Sequence, residues 1–226
     1  MTQTYPTDEP PSTSGGRRIV RVARVGDLPG IVDIHQKAFS HFFLTQMGGE
    51  FLRNYYALVL DYRAGIILVS EGDGLLEGFA CGFIDPAEFY RLMWRSRRNF
   101  ALPVLSALVR HPSLAAKVLS GVHRIHAPET EWPARSCELS SIAVAPETSG
   151  SGLGKVLMRA FLAQARRMDA ECIYLTTDAD GNDAVNAFYR DVGFKPTRRF
   201  LQRKGRWMNE YVIDGMEAGN TCETHL

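Results

Sequence analysis

Apolar and polar residues follow regular patterns through most of the first 85 positions. RIVRVAR at 18–24 alternates apolar and basic residues, as a half-buried strand does. Asp27 precedes LPGIVDIHQKAF, whose Pro29 falls in the first turn, and this predicts a capped helix start. GIILVSE and LLEGFACGFI, joined by GDG at 72–74, predict a β-hairpin. Between them, GEFLRNYYALVLDY predicts a helix whose apolar face consists of Phe51, Leu52, Tyr55, Leu58, Val59 and Tyr62.

The pattern changes at residue 86. Residues 87–111 predict a helix that is interrupted near Pro103, and residues 112–125 predict a second helix. Beyond Pro133 the strand pattern returns, so we treat 86–133 as a helical insertion.

The last third of the chain alternates strands and helices. SCELSSIAVA predicts a strand, ETSGSGLGK a turn, VLMRAFLAQARRM an amphipathic helix and CIYLTTDA a strand. NDAVNAFYRDVGF predicts a short helix that ends at Gly193, and RRFLQRK with MNEYVID predicts an antiparallel pair around Gly205. Meander strands combined with strand–helix–strand units predict an α+β fold around one mixed sheet.

Composition limits the class of protein. The chain has 226 residues, is 45% hydrophobic and carries a net charge of +1, which fits one folded domain at 19–214 with a flexible tail at 1–18 and a C-terminal tail at 215–226. Near-neutral charge argues against a surface built for nucleic acid. No run approaches the roughly 18 apolar residues of a membrane span, and the polar N-terminus lacks a signal-peptide core. The four cysteines are scattered without a C-x-x-C pair and the six histidines follow no ligand spacing, so we expect reduced thiols, no metal and a cytoplasmic location.

The insertion is locally basic. Residues 85–126 contain seven Arg or Lys against two acids. The segment is either a solvated helical cover, a wall for an anionic substrate, or a contact with a second copy in a homodimer or with a membrane surface.

The densest glycine motif is SGSGLGK at 149–155, directly before a predicted helix. Glycines allow close approach of a ligand to the backbone, and a helix start offers unpaired N–H groups to phosphate. The motif is not a P-loop, because Ser149 stands where the first glycine belongs and Val156 where a hydroxyl belongs. The turn therefore predicts an anion site, or a tight structural turn.

The order of elements around this turn resembles the GCN5-related N-acetyltransferase (GNAT) superfamily. The resemblance covers the strand ELSSIAVAP, the glycine turn, an amphipathic helix, the strand IYLTTDA and then N-x-x-x-x-x-F-Y-x-x-x-G-F. The family turn [RQ]-x-x-G-x-[GA] corresponds to residues 149–154, with Ser149 replacing the usual Arg or Gln. The resemblance implies a mostly antiparallel central sheet flanked by helices, and transfer of an acetyl group from acetyl-CoA to an amine.

The resemblance also implies where coenzyme A binds. Its pantetheine arm would pair with the strand that ends IAVAP, and its pyrophosphate would lie on the glycine turn. The implied cofactor-binding residues are Ile142, Ala143, Val144, Ser149, Gly150, Ser151, Gly152, Leu153, Gly154, Lys155 and Asn182. Lys155 is also readable as a solvated side chain.

Two side chains are candidates for catalysis. Glu138 matches the general base of the histone-acetylating branch. The alternatives are that Glu138 faces solvent, that it anchors the substrate ammonium, or that ordered water acts as the base, as in other relatives. Strand alternation places Glu138 on one face with Ser140 and Ile142. Tyr189 matches the tyrosine that protonates the departing thiolate, and its alternative is a core aromatic. Asn182 precedes Tyr189 by about two helical turns, so both can face one ligand.

The acceptor amine is less constrained. In the family it binds between the N-terminal helix pair and the last hairpin, which here include His41, Phe42, Phe43, Asn209, Glu210 and Tyr211. We expect a primary amine on a small molecule, anionic or sugar-linked; the alternatives are a protein or peptide amine, and a non-catalytic acyl-CoA sensor.

Overall fold

The computed structural model describes residues 18–40, 42–115, 132–202 and 205–214. Of the predicted tails, residues 1–17 of 1–18 and all of 215–226 lie outside the described residues. So do His41, a candidate for binding the acceptor amine, and residues 116–131 of the insertion.

The strands of the described residues form one seven-stranded sheet in the order β1-β2-β3-β4-β5-β7-β6. Every neighbouring pair is antiparallel except β4 and β5, which are parallel. The strands are β1 (Ile19–Val22), β2 (Gly65–Gly72), β3 (Leu75–Ile84), β4 (Ser136–Val144), β5 (Cys172–Asp178), β6 (Lys195–Gln202) and β7 (Arg206–Asp214). The mixed, mostly antiparallel sheet predicted from the sequence is confirmed.

Helices cover both faces of this sheet, each through its apolar side. The helices are α1 (Leu28–Ala38), α2 (Phe43–Gln46), α3 (Gly49–Asp61), α4 (Pro86–Arg95), α5 (Arg97–Arg110), α6 (Leu153–Arg167) and α7 (Asp183–Val192). One core cluster joins α1, α3, α4 and α5 to one face, and a second joins α6 and α7 to the other. We call these the α3 face and the α6 face.

The β2–β3 hairpin turns through Asp73 and Gly74, whose φ values are +52° and +77°. Two consecutive positive φ values define the tight turn that matches strand twist. The hairpin predicted from GDG is therefore confirmed.

Two details of the helices differ from the sequence prediction. The long helix breaks at Ser96 rather than at Pro103, which lies inside α5. Tyr56, left out of the predicted apolar face of α3, is fully buried.

The proline is tolerated because another residue satisfies the carbonyl that it leaves unpaired. Pro103 has no N–H to donate to the carbonyl of Asn99, four residues earlier. The side-chain amide of Asn54 on α3 donates to that oxygen at 2.8 Å. The buried side of α5, which includes Phe100, Pro103 and Ala107, is thereby held against α3.

We expect Asn54→Ala to lower the free energy of unfolding by about 0.5–1.5 kcal/mol, the typical net value of one hydrogen bond. In a Pro103→Ala background the N–H of residue 103 can reach the Asn99 carbonyl, so the same substitution should cost less. Urea unfolding of the four proteins measures this coupling. Equal losses in both backgrounds would show that Asn54 does not compensate for the proline.

Candidate active site

The two parallel strands at the centre of the sheet separate after three residue pairs. Ser136–Glu138 of β4 pair with Cys172–Tyr174 of β5. Beyond that point β4 pairs only with β3, and β5 pairs only with β7. A gap therefore opens in the middle of the sheet, beside the second half of β4.

The direction of the main chain decides which groups of β4 face this gap. The N–H of Ala145 donates to the carbonyl of Glu77 at the start of β3, at 2.7 Å. Successive residues of a strand direct their N–H and C=O groups to opposite sides. The main-chain groups of Ile142 and Val144 are thus directed toward the gap, whereas those of Ala143 are directed toward β3.

A β-bulge changes the side-chain pattern of β4 next to the gap. Ser141 pairs with Cys81 and Leu139 with Gly82, so Ser140 is an extra residue without a partner on β3. A bulge of this kind reverses the alternation of side chains along its strand.

Both serines at the bulge consequently face the same helix. The Ser140 hydroxyl lies 2.6 Å from the Tyr55 hydroxyl, and the Ser141 hydroxyl lies 3.1 Å from that of Tyr56. Ile142 packs instead against the α6 face. The expectation that Glu138, Ser140 and Ile142 share one face is therefore wrong, because simple alternation does not continue through a bulge.

The hydroxyl chain continues into the core at His35. Its Nδ1 lies 2.6 Å from the Tyr56 hydroxyl, and its Nε2 is buried without a hydrogen-bond partner among the described residues. Burial lowers the pKa of His35 to about 4 and raises those of Tyr55 and Tyr56. The imidazole is therefore neutral and both phenols are protonated at neutral pH, so they support the bulge without adding charge.

Glu138 is the last residue of β4 that pairs with β5, and two phenols hold its carboxylate. Tyr90 on α4 donates to one carboxylate oxygen at 2.9 Å, and Tyr174 on β5 donates to the other at 3.0 Å. Trp132 stacks on Tyr174 with ring centroids 4.2 Å apart. Sequence analysis missed both tyrosines because they lie 48 and 36 residues from Glu138.

The glycine turn leads from β4 into the N-terminus of α6. Gly150 and Gly152 have φ values of +79° and +81°, and a Cβ at either position would meet no atom within 4 Å. Side chains are thus excluded by backbone conformation rather than by the protein's own packing. Within the described residues, no main-chain acceptor is recorded for the N–H groups of residues 150, 152, 153 and 154.

The other residues of this turn are already engaged. The N–H groups of Ser149, Ser151 and Lys155 donate to nearby carbonyls. The Lys155 ammonium lies 3.4 Å from the carboxylate of Asp191, at the surface. Its backbone and side chain therefore contribute less to an anion site than the free amides do.

Tyr189 lies in the core of the α6 face, 8% exposed, among Phe188, Phe194 and Tyr211. No hydrogen-bond partner is recorded for its hydroxyl in the described part of the chain, and burial raises its pKa to about 12. The phenol is therefore protonated at neutral pH.

Asn182, directly before α7, donates its side-chain amide to Thr177 at 2.9 Å and to the Asp178 carbonyl at 3.2 Å. These two bonds fix the β5–α7 connection.

A buried asparagine that the sequence analysis did not identify organises the last hairpin. Asn186 donates to the carbonyls of Asp178 and Asn182, at 2.9 and 2.8 Å. Its oxygen accepts from Asn209 at 3.0 Å and from the Tyr211 hydroxyl at 2.9 Å. Two of the three β7 candidates for binding the acceptor amine, Asn209 and Tyr211, are thus hydrogen-bonded within the α6 face.

Glu210 lies between Asn209 and Tyr211 on β7, and its side chain is on the opposite face of the sheet, the α3 face. It pairs across strands with Thr176, which follows Tyr174 by two residues, and Tyr174 pairs with Glu138. Directly opposed residues and residues two apart in a strand share a face. The α3 face therefore carries both Glu138 and Glu210, and Arg198 forms a two-point ion pair with Glu210 at 3.0 and 3.1 Å.

The two segments predicted to bind the acceptor amine contact each other through Arg206 and Phe42. The guanidinium carbon of Arg206, on β7, lies 5.6 Å from the centre of the Phe42 ring, which precedes α2. Arg206 is held by Asp178 at 2.6 Å. Phe43, on α2, packs against the core of the α3 face.

The described residues contain no group of three His, Cys, Asp or Glu side chains placed to hold a metal ion. None of the helices in the described part of the chain could span a membrane. Cys81, Cys137 and Cys172 are buried and form no disulfide among the described residues, and burial raises the pKa of the thiols of Cys81 and Cys137.

Known proteins share this architecture. The crystal structure of the ribosomal-protein-S18-alanine N-acetyltransferase of Escherichia coli superposes with a TM-score of 0.56 at 14% identity, over 90% of this chain and 97% of that one. The yncA protein of Salmonella typhimurium, solved with its cofactor acetyl-CoA, superposes with a TM-score of 0.56 at 14% identity, over 91% and 98%. At these identities the likeness concerns the fold.

Sequence comparison adds two findings. The mycothiol acetyltransferase of Pseudarthrobacter chlorophenolicus is 42% identical over 57 residues, which are 25% of this chain and only 17% of that relative. The model of the Acetyltransferase (GNAT) family matches residues 28–194, which include strands β2 to β5, the glycine turn and Tyr189. The chain therefore belongs to the GNAT family of acetyltransferases.

Proposed function

We propose that this protein transfers an acetyl group from acetyl-CoA directly to a primary amine of a small molecule. The observation that carries the proposal is the gap between β4 and β5, which lies directly before the glycine turn. Both the gap and the glycine turn present main-chain groups for which no hydrogen-bond partner is recorded among the described residues. An extended, diphosphate-bearing ligand would supply partners for both sets at once.

The residues present fit coenzyme A. The amides at 150 and 152–154, at a helix N-terminus without side-chain obstruction, suit a pyrophosphate. The main chain of Ile142 and Val144 suits the amide-rich pantetheine arm, and the unpaired N–H of Ile142 would polarise the thioester carbonyl. Ala143 contributes spacing only, since its main chain faces β3.

Glu138 is proposed to receive the proton of the acceptor ammonium, directly or through one water. An ammonium has no lone pair, so it must lose a proton before it attacks the thioester carbon. The carboxylate lies on the α3 face at the point where the strands part, and the Tyr90 and Tyr174 hydroxyls fix its orientation.

Tyr189 is proposed to protonate the departing thiolate. It lies on the α6 face, across the sheet from Glu138, and its hydroxyl has no recorded partner in the described residues. A protonated phenol within reach of the gap could neutralise the developing charge on sulfur.

The acceptor is proposed to be cationic, without a required anionic group. The face that Glu138 occupies also carries Glu210, whose charge Arg198 balances. The arginines of the insertion that the structure describes lie on α4 and α5, and no contact between them and Glu138 or Glu210 is recorded among the described residues. A screen of soluble amines and peptides, scored by thiol release and product mass, tests this; acetylation of peptides alone would favour a protein substrate, and binding without turnover would favour a sensor.

Gly152→Val should weaken acetyl-CoA binding by about tenfold or more, because the branched side chain would lie over the free amides and strain a backbone at φ +81°. Isothermal calorimetry measures the change. Gly74→Val is the matched control, since φ there is +77° and the surrounding space is also empty, but the site is in the β2–β3 turn. Equal affinity of the two variants would contradict the proposed cradle.

Tyr189→Phe should lower kcat by about 10- to 1000-fold and leave acetyl-CoA affinity nearly unchanged. Thermal stability should be preserved, because no recorded hydrogen bond is lost. Tyr211→Phe is the contrasting variant: it removes a buried bond to Asn186, so it should reduce stability more than turnover. Unchanged kcat in Tyr189→Phe would remove this residue from the mechanism.

Glu138→Gln should lower kcat by about 100- to 10,000-fold at neutral pH, because an amide cannot take up the proton. The side chain can still contact both tyrosines, since its oxygen accepts from one phenol and its N–H can donate to the oxygen of the other. Glu210→Gln, on the same face but paired with Arg198, should change kcat less than tenfold and reduce stability instead. Steady-state kinetics with saturating acetyl-CoA distinguishes the two. Similar kcat values for Glu138→Gln and the wild type would assign proton removal to water alone.

A further inference from the structure

One face of α5 is strongly apolar and open to solvent. Leu102, Leu105 and Val109 are 75%, 59% and 74% exposed. Their spacing of three and four residues places them on one side of the helix. We call these three residues the α5 strip.

The helix that carries the strip is firmly attached to the domain. Phe100, Pro103 and Ala107, on the opposite side, are buried against the core, and the Asn54 bond holds α5 to α3. The strip is therefore a fixed outer surface of the protein.

The surroundings of the strip are basic. Residues 86–115 contain five arginines and one acid, Glu88, which Arg63 already pairs. The five are Arg91, Arg95, Arg97, Arg98 and Arg110. None has a carboxylate within ion-pair distance among the described residues. Arg98 precedes Leu102 by four residues and so lies on the same side of the helix.

We propose that the α5 strip binds the surface of an anionic membrane. The aliphatic side chains would enter the boundary between headgroups and acyl chains, and the arginines would contact lipid phosphates. Trp94 is half-buried, and the centre of its ring lies 5.3 Å from the guanidinium carbon of Arg97. Tryptophan is enriched at the boundary between lipid headgroups and acyl chains.

This partner fits the combined chemistry better than the alternatives. A nucleic acid would pair with the arginines but gives three aliphatic side chains no apolar contact. A second copy of this chain, joined through the same face, would bring arginines against arginines. Contact with lipid is peripheral here, because no described helix can cross a membrane.

Sedimentation with vesicles tests the proposal on the full chain. Phosphatidylcholine vesicles with 30% phosphatidylglycerol should retain the protein, whereas pure phosphatidylcholine should retain at least about tenfold less. Raising the salt concentration should release the bound protein, since the arginine contribution is screened.

Leu102→Ser/Leu105→Ser should reduce the partition coefficient on anionic vesicles by about tenfold or more. Leu75→Ser is the matched control, because Leu75 is 72% exposed but lies in the β2–β3 hairpin, and it should bind like the wild type. Arg97→Gln/Arg98→Gln should also release the protein. All variants should acetylate a soluble amine at the wild-type rate, since none alters the proposed site.

Three results would overturn the proposal. Failure of the wild type to bind anionic vesicles is the simplest. A wild-type dimer that Leu102→Ser/Leu105→Ser dissociates would assign the strip to self-association. A lower unfolding temperature for that variant than for Leu75→Ser would show that the protein's own chain covers the strip.

Discussion

The need to pair backbone groups in the interior governs this structure. A sheet normally satisfies the N–H and C=O groups of its central strands, and leaving them unpaired away from water costs free energy. Here β4 and β5 separate after Glu138 and Tyr174, at the centre of the sheet. The groups left by this separation need water or a ligand as partners, and the proposed binding of an extended ligand rests on this need.

The bulge determines what surrounds that gap. Without the extra residue, the Ser141 side chain would face α6, and the N–H and C=O groups beyond it would be directed to the opposite side of the strand. With the bulge, the side chains of Ser140 and Ser141 both contact tyrosines of α3. The neutral chain through Tyr56 to His35 fixes this irregular segment from the core. Positioning of the gap therefore depends on a helix about 85 residues earlier in the chain.

The gap also joins two faces with different chemistry. Glu138 and its two phenol donors lie on the α3 face, and Tyr189 lies on the α6 face. In the proposed reaction, proton removal and proton return would occur on opposite sides of one sheet, with the thioester between them.

The sequence by itself determined the order and type of nearly every described element, the hairpin at Asp73 and Gly74, and the glycine turn, because these follow from local periodicity and turn chemistry. Tertiary structure alone decided the rest. The continuation of α5 through Pro103 depends on Asn54, which lies 45 residues from the carbonyl it satisfies. The face of the sheet on which the Ile142 side chain lies depends on the bulge, and that of Glu210 depends on strand register. Neither feature leaves a local signature in the sequence, because both arise from pairing between distant segments.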